Sequence, residues 1–283
     1  MSFKKALLYL PTYPDAPPEQ VLQCAAFFSQ KTGASLTAII PELSPDPATW
    51  PVVMGGWVDV PALISEAVHI SATNTAKLAG DVQQVAADFT VPIDVRKASG
   101  RLFPSSGPLI DLARLHDILI LPVPESNDFD RDIVHPAIFG TARPTLLLPH
   151  GRGRKHLHRL DRIVVAWDFS REAARALIDA MPLLIAARQV VIVTVLGEKG
   201  IQTSASISDL QSFLAAHGVT ATFEETTIRH ESIGDCIGRF VTTANADMLV
   251  MGAYGHSRAR EFVLGGATKS LISDPPLPVF LSH

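Results

Sequence analysis

Asp247-Met248-Leu249-Val250-Met251-Gly252-Ala253-Tyr254-Gly255 is an acidic residue, a run of four apolar residues and a loop that opens on glycine. An uninterrupted apolar run of this length reads as a strand covered on both faces, because a half-exposed strand alternates. A near copy stands earlier in the chain, Asp117-Ile118-Leu119-Ile120-Leu121. Outward from these two runs the whole chain repeats once. Lys5–Leu10 (KALLYL) and Arg162–Trp167 (RIVVAW) open the halves as strands. Helical patterns follow over Glu19–Thr32 and Arg171–Ala187, then apolar runs over Ser35–Ile40 and Gln189–Leu196. Ala62–Phe89 and Ser206–His217 read as the next helices, with Leu78, Val82, Val85 and Phe89 at helical spacing. Partly alternating strands are expected at Pro92–Lys97 and Thr220–Thr227, nearer a sheet edge, and helices at Leu109–Leu115 and Ile233–Ala244. Each half closes on a short run, Thr145–Leu148 or Val279–Leu281.

The expected fold is therefore α/β, two doubly wound parallel five-stranded sheets in tandem, with domains over 1–150 and 160–283. A length of 283 residues agrees with two domains at roughly 150 residues each. With 47% hydrophobic and 18% charged residues the chain has the apolar surface that a disordered chain lacks. Its mean hydropathy of +0.23 raises the question of membrane insertion. Apolar runs such as Val190–Leu196 span seven residues, against roughly 20 for a bilayer-spanning helix, so no membrane segment is expected. The N-terminal apolar stretch ends at Pro11, shorter than a secretory core, which favours the cytoplasm. Two distant cysteines, Cys24 and Cys236, imply no disulfide framework. A net charge of −4 argues against nucleic acid as partner. Between the halves, Gly151–Arg159 reads as a solvated basic connector, with His156 and His158 lacking a partner at metal-ligand spacing.

In a doubly wound sheet, ligands bind beyond the carboxyl ends of the strands at the switch point. No G-x-G-x-x-G follows the first strand and no G-x-x-x-x-G-K-[ST] occurs, which sets aside a dinucleotide dehydrogenase and a standard P-loop enzyme. The loop after the fourth strand of the second half is distinctive. From Met251 it runs through Gly252, Gly255, His256, Arg258, Arg260, Gly265, Gly266, Ala267 and Thr268, a G-x2-G-x9-G-G-x-T spacing. Gly252 and Gly255 are expected to take positive φ and to let backbone approach a phosphate. Gly265 and Gly266 lead into a helix N-terminus that favours an anion, and the Thr268 hydroxyl adds a donor. His256 fits either a phosphate contact or a solvent-facing turn. Asp168, after the first strand of this half, fits either a ribose or base contact or an N-cap of the next helix.

On these residues the chain resembles a tandem member of the universal stress protein family, over nearly all its length. The resemblance implies Rossmann-like domains, akin to the adenine nucleotide alpha hydrolases, that pair through their last strands, here Thr145–Leu148 with Val279–Leu281, as an internal pseudo-dimer. It also implies ATP or ADP as ligand, with or without Mg²⁺. Gly252, Gly255 and Gly265 match the family's G-x2-G-x9-G-[ST], whereas Gly266 stands where the family has Ser or Thr. Asp168 matches its acidic residue for adenosine, and Val195 the position whose backbone reads adenine.

The first half departs from this pattern. Pro122-Val123-Pro124 and the acidic Glu125, Asp128, Asp130 and Asp132 replace the glycine loop, and Pro11 stands where Asp168 does. Prolines remove phosphate donors, so this half is expected to bind no nucleotide. Gly140-Thr141 remains, with Pro144 leaving no room for a helix after it. The segment 44–61, with Trp50 and Trp57, reads either as a partner loop or as one folded back on its own domain. The leading expectation is a stress-associated regulator that binds nucleotide through its second domain. A slow ATP hydrolase and an interaction scaffold are the alternatives, and a homodimer beyond the internal pairing is left open.

Overall fold

The computed structural model describes residues 2–44, 60–100, 107–124, 133–197, 203–253 and 271–283. In the first half, β1 (Lys5–Tyr9), α1 (Glu19–Thr32), β2 (Ser35–Leu43), α2 (Val60–Phe89), β3 (Ile93–Gly100), α3 (Gly107–Ala113), β4 (Ile118–Val123), α4 (His135–Gly140) and β5 (Thr145–Pro149) follow in order. The second half holds β6 (Arg162–Ala166), α5 (Arg171–Asp179), α6 (Met181–Ala186), β7 (Gln189–Leu196), α7 (Ile207–Ala216), β8 (Ala221–Thr227), α8 (Ile233–Thr243), β9 (Met248–Gly252) and β10 (Val279–Ser282).

The strands form one ten-stranded sheet, β3-β2-β1-β4-β5-β10-β9-β6-β7-β8. Within each half the pairing is parallel. At the middle β5 and β10 run antiparallel, with Leu147 opposite Val279, Leu146 opposite Phe280 and Thr145 opposite Leu281. The two expected five-stranded sheets are thus one continuous sheet, joined along the strands that close each half. β4 is buried at every position, as its unbroken apolar run requires, while the edge strand β8 has several exposed positions.

Alternate residues along each strand feed two cores. One face carries Ala6, Leu8, Ile163, Val165 and Phe280 under α1, α2, α5, α6 and α7. The opposite face carries Leu7, Tyr9, Val164, Leu249 and Leu281 under α3, α4 and α8. Both cores draw on both halves, and Phe3 meets Phe280 edge-on across the joint at 6.3 Å between ring centroids.

Two helices differ from the sequence expectation. The helix expected over Arg171–Ala187 is two, α5 and α6, parted at Ala180, because Pro182 stands at the start of α6 and cannot continue a ladder from α5. In the first half a helix that the sequence did not announce, α4, ends on Gly140 just before Thr141, with Pro136 in its first turn. The stretch 151–159 is largely solvent-exposed, as expected of a connector, and three of its cations also tie it to the second half. Lys155 Nζ donates to Asn245 O (3.0 Å) and Ala246 O (2.6 Å) and pairs with Asp247, Arg159 Nε donates to Asp247 Oδ1 (2.7 Å), and Arg154 pairs with Asp274.

Candidate functional site

β6 is the short strand at the switch point of the second half. Its ladder with β7 ends with Trp167 N–H donating to Val193 O at 2.9 Å, and its last pairing with β9 is Val165 to Val250. Both neighbours run further: β7 continues beside β8 to Leu196 opposite Thr227, and β9 continues beside β10 to Gly252 opposite Ser282. A notch is left at the carboxyl end of the sheet, with β7 and β9 as its walls.

Asp168, Phe169 and Ser170 turn the chain from β6 into α5. Phe169 takes a left-handed φ of 61°. The Ser170 amide donates to Asp168 Oδ1 (2.9 Å), closing an Asx-type turn, and Ser170 Oγ accepts from the Ala173 amide (3.1 Å). Ser170, not Asp168, is therefore the N-cap of α5. Asp168 remains exposed at the mouth of the notch with one oxygen held in place. On the β7 wall, Val195 is half-buried and extends past the end of β6.

On the other wall Met251 is buried and Gly252 ends β9. Gly252 is not in the positive-φ region expected for it. It is glycine because of close packing. A Cβ there would lie 2.5 Å from the carbonyl carbon of Glu172, 2.6 Å from the Ala173 nitrogen and 2.8 Å from Glu172 Cβ. The backbone that approaches Gly252 is the first turn of α5. Beyond it, the Ala253 amide donates to Ser282 O (2.8 Å) and Ala253 O bonds His283 Nδ1 (2.9 Å), so β10 fixes the start of the loop. The structure thus places Asp168, Val195, Met251 and Gly252 at the same end of three adjacent strands. Gly255, His256, Gly265, Gly266, Ala267 and Thr268 lie outside the described residues, as do Arg258 and Arg260, the acidic run 125–132 and the loop 45–59.

The first half can be overlaid on the second through its hydrogen bonds. Leu10 N–H donates to Ile39 O at 3.0 Å, as Trp167 does to Val193, so Pro11 matches Asp168, Thr12 matches Phe169 and Pro41 matches Val195. Pro122 opposes Leu148 as Gly252 opposes Ser282. Here the carboxyl end is filled. Thr12 Oγ1 donates to Pro41 O (2.5 Å), and Ser71 Oγ lies 2.7 Å from Thr12 Oγ1 and accepts from the Leu43 amide (3.0 Å). Asn74 Nδ2 donates to Thr12 O (2.9 Å). Sequence reasoning missed this cluster. Its trace is the buried stripe of α2, where Val85, Val82 and Leu78 give way at the same spacing to Thr75 and Ser71.

Away from the notch, a cavity of about 480 Å³ lies between α8 and residues 271–276, lined among others by Gly234, Gly238, Arg239 and Asp274. Cys24 is buried and its thiol is pushed up to about 11 by burial, which leaves it protonated. Among the described residues no helix is long and apolar enough to cross a membrane, and no cluster of His, Cys, Asp or Glu suits a metal ion.

Comparison with known proteins bears on the second half first. Residues 159–283 match the model of the Universal stress protein family. No curated protein matches the chain. Among solved structures, a universal stress protein from Archaeoglobus fulgidus DSM 4304 superposes with a TM-score of 0.71 at 18% identity, covering 100% of this chain and 97% of that one. A putative universal stress protein from Pseudomonas aeruginosa UCBPP-PA14 gives 0.55 at 12% identity, covering 99% and 93%. The cytoplasmic domain of a prokaryotic cation chloride cotransporter gives 0.51 at 15% identity, covering 99% and 95%. At these identities the likeness is one of fold, and it extends over both halves.

Proposed function

We propose that this chain, whose residues 159–283 match the Universal stress protein family model, binds an adenine nucleotide, ATP or ADP, in the notch beyond β6, with or without Mg²⁺. Binding is regulatory: it changes the conformation or partners of the chain in a stress response. The halves, as domains over 1–150 and 160–283, then divide the work, the second sensing nucleotide and the first serving as its scaffold.

The observation that carries this reading is the asymmetry of the carboxyl ends. In the second half β6 stops between two longer strands, and an exposed carboxylate, Asp168, stands at the gap. The corresponding gap in the first half is filled by Thr12, Ser71 and Asn74. The residues present suit a nucleoside. The Asx-type turn orients Asp168 as an acceptor for ribose hydroxyls or a base amino group. The β7 wall offers backbone at Val195 to an adenine edge. The phosphates are assigned, on sequence alone, to Gly255, His256, Gly265, Gly266, Ala267 and Thr268.

Calorimetric titration with ATP and with ADP, with and without Mg²⁺, tests the reading. We expect one site per chain, weakened about tenfold or more in Asp168→Asn, which keeps the turn acceptor and removes the charge. Absence of binding heat from a folded chain refutes it. One observation favours a second reading, a scaffold without ligand: Gly252, the first glycine of the loop, serves the packing of α5. A folded chain that binds neither nucleotide supports that alternative.

A further inference from the structure

We propose that α2 is a built-in occupant of the first half: Ser71 and Asn74, with Thr12, make at its carboxyl end the contacts that a bound ligand makes at such a notch, so this half is closed to nucleotide and held in one conformation.

The hydroxyls of Thr12 and Ser71 are both used. The Thr12 hydroxyl donates to Pro41 O, which leaves its oxygen to accept from the Ser71 hydroxyl, and the Ser71 oxygen accepts the Leu43 amide. Asn74 satisfies the Thr12 carbonyl. Pro41 O and the Leu43 amide lie where β2 outruns β1, whose pairing with β2 ends at Tyr9 opposite Ile39. These are backbone groups that an overhanging strand otherwise offers to a ligand. Thr12 and Ser71 are 2% and 0% exposed, so the bond between them and the one from the Leu43 amide are buried, while those at Pro41 and Asn74 are partly so.

Among the described residues this arrangement occurs in the first half only. The Val91 amide donates to Ala86 O and the Val219 amide to Leu214 O, which matches α2 to α7 and sets Leu78 beside Ser206, the N-cap of α7. α2 has 30 residues and α7 has 10, and Ser71 and Asn74 sit on the additional N-terminal turns. Phe169, in the place of Thr12, has no hydroxyl to donate. The closure therefore comes from a helix extension and one Thr, in addition to the prolines of the loops.

The inference rests on the proposed nucleotide site only for its contrast between halves, and amide exchange separates the two. In the full chain without nucleotide, the Leu43 amide should exchange slowly, and ATP should leave it unchanged. Ser71→Ala and, separately, Asn74→Ala should speed exchange around Leu43 and Thr12 at least tenfold while the second half keeps its exchange pattern. Nucleotide stoichiometry should not exceed one per chain. A Leu43 amide that exchanges freely until ATP is added, or two nucleotides per chain, overturns the proposal. So does unchanged exchange in both variants. If ATP fails to bind anywhere, the nucleotide reading falls, and exchange at Leu43 in the variants still decides this one.

Discussion

Asp117 and Asp247 occupy the same place in the repeat and do the same thing. Each carboxylate precedes the fourth strand of its half and accepts from two consecutive amides at the start of the first strand: Lys4 (2.7 Å) and Lys5 (2.9 Å) for Asp117, Asp161 and Arg162 (both 3.0 Å) for Asp247. The aspartates that head the two matching apolar runs are thus strand-pinning residues remote from the notch. Asp247 alone adds Lys155 and Arg159, and it is 2% exposed.

That difference predicts unequal costs. Asp247→Ala removes the acceptor of two amides and of the Arg159 Nε–H and one of the partners of Lys155, which keeps Asn245 and Ala246, and should destabilise by about 2–3 kcal/mol, against about 1 kcal/mol for Asp117→Ala. Paired denaturant titrations of the two variants check the ranking, and equal costs would mean that the clamp on Asp247 contributes nothing.

The same carboxylate should make the chain acid-sensitive. Burial works to raise the Asp247 pKa, but hydrogen bonds from the Arg162 amide, Lys155 and Arg159 outweigh it and hold the group below its ordinary value. A depressed folded-state pKa stabilises above the unfolded value, about 3.9, and that contribution is lost as pH falls through the folded one. The stability gap between the parent and Asp247→Asn should therefore be constant at neutral pH and shrink below about pH 4. Thermal melts across that range measure it.

At Gly252, even one added methyl meets the backbone of Glu172 and Ala173. Gly252→Ala should cost about 1–3 kcal/mol by overpacking, with faster exchange in the first turn of α5. Loss of ligand binding in such a variant thus reports displaced packing, and Asp168→Asn is the cleaner probe of the notch. Unaltered stability in Gly252→Ala would falsify the close approach.

Across the joint, Phe280 is fully buried against Phe3 and opposes Leu146. Phe280→Ala should cost about 3–5 kcal/mol. Because both cores draw on both halves, calorimetric unfolding should remain one transition at a lower midpoint. Two separated transitions in the parent would contradict the shared cores.

The sheet was legible because its strands are apolar runs that need cover on both faces, as at Val190–Val193 and Ile118–Leu121. Their order followed from the repeat. The break at Ala180 was less so, since the apolar stripe continues across it and Pro182 alone marks the stop. At the notch, Asp168 could be placed by counting along its strand and Val195 through the family resemblance. The role of Gly252 could not, because a glycine that admits a helix and one that admits a phosphate are the same letter. The cluster at Ser71 was hidden for a related reason. Small hydroxyl residues on a helix read as solvent-facing until the neighbouring segment that buries them is known.

When two identical subunits join along their final strands, symmetry obliges both to carry the same surface and the same crevice. Here the antiparallel seam between β5 and β10 lies within one polypeptide, so that obligation is lifted. One lobe can close its strand ends with its own helix, as Thr12, Ser71 and Asn74 do, without obliging its neighbour to do the same. A fused pair of this kind can let its two ends diverge, something no twofold assembly of identical lobes allows.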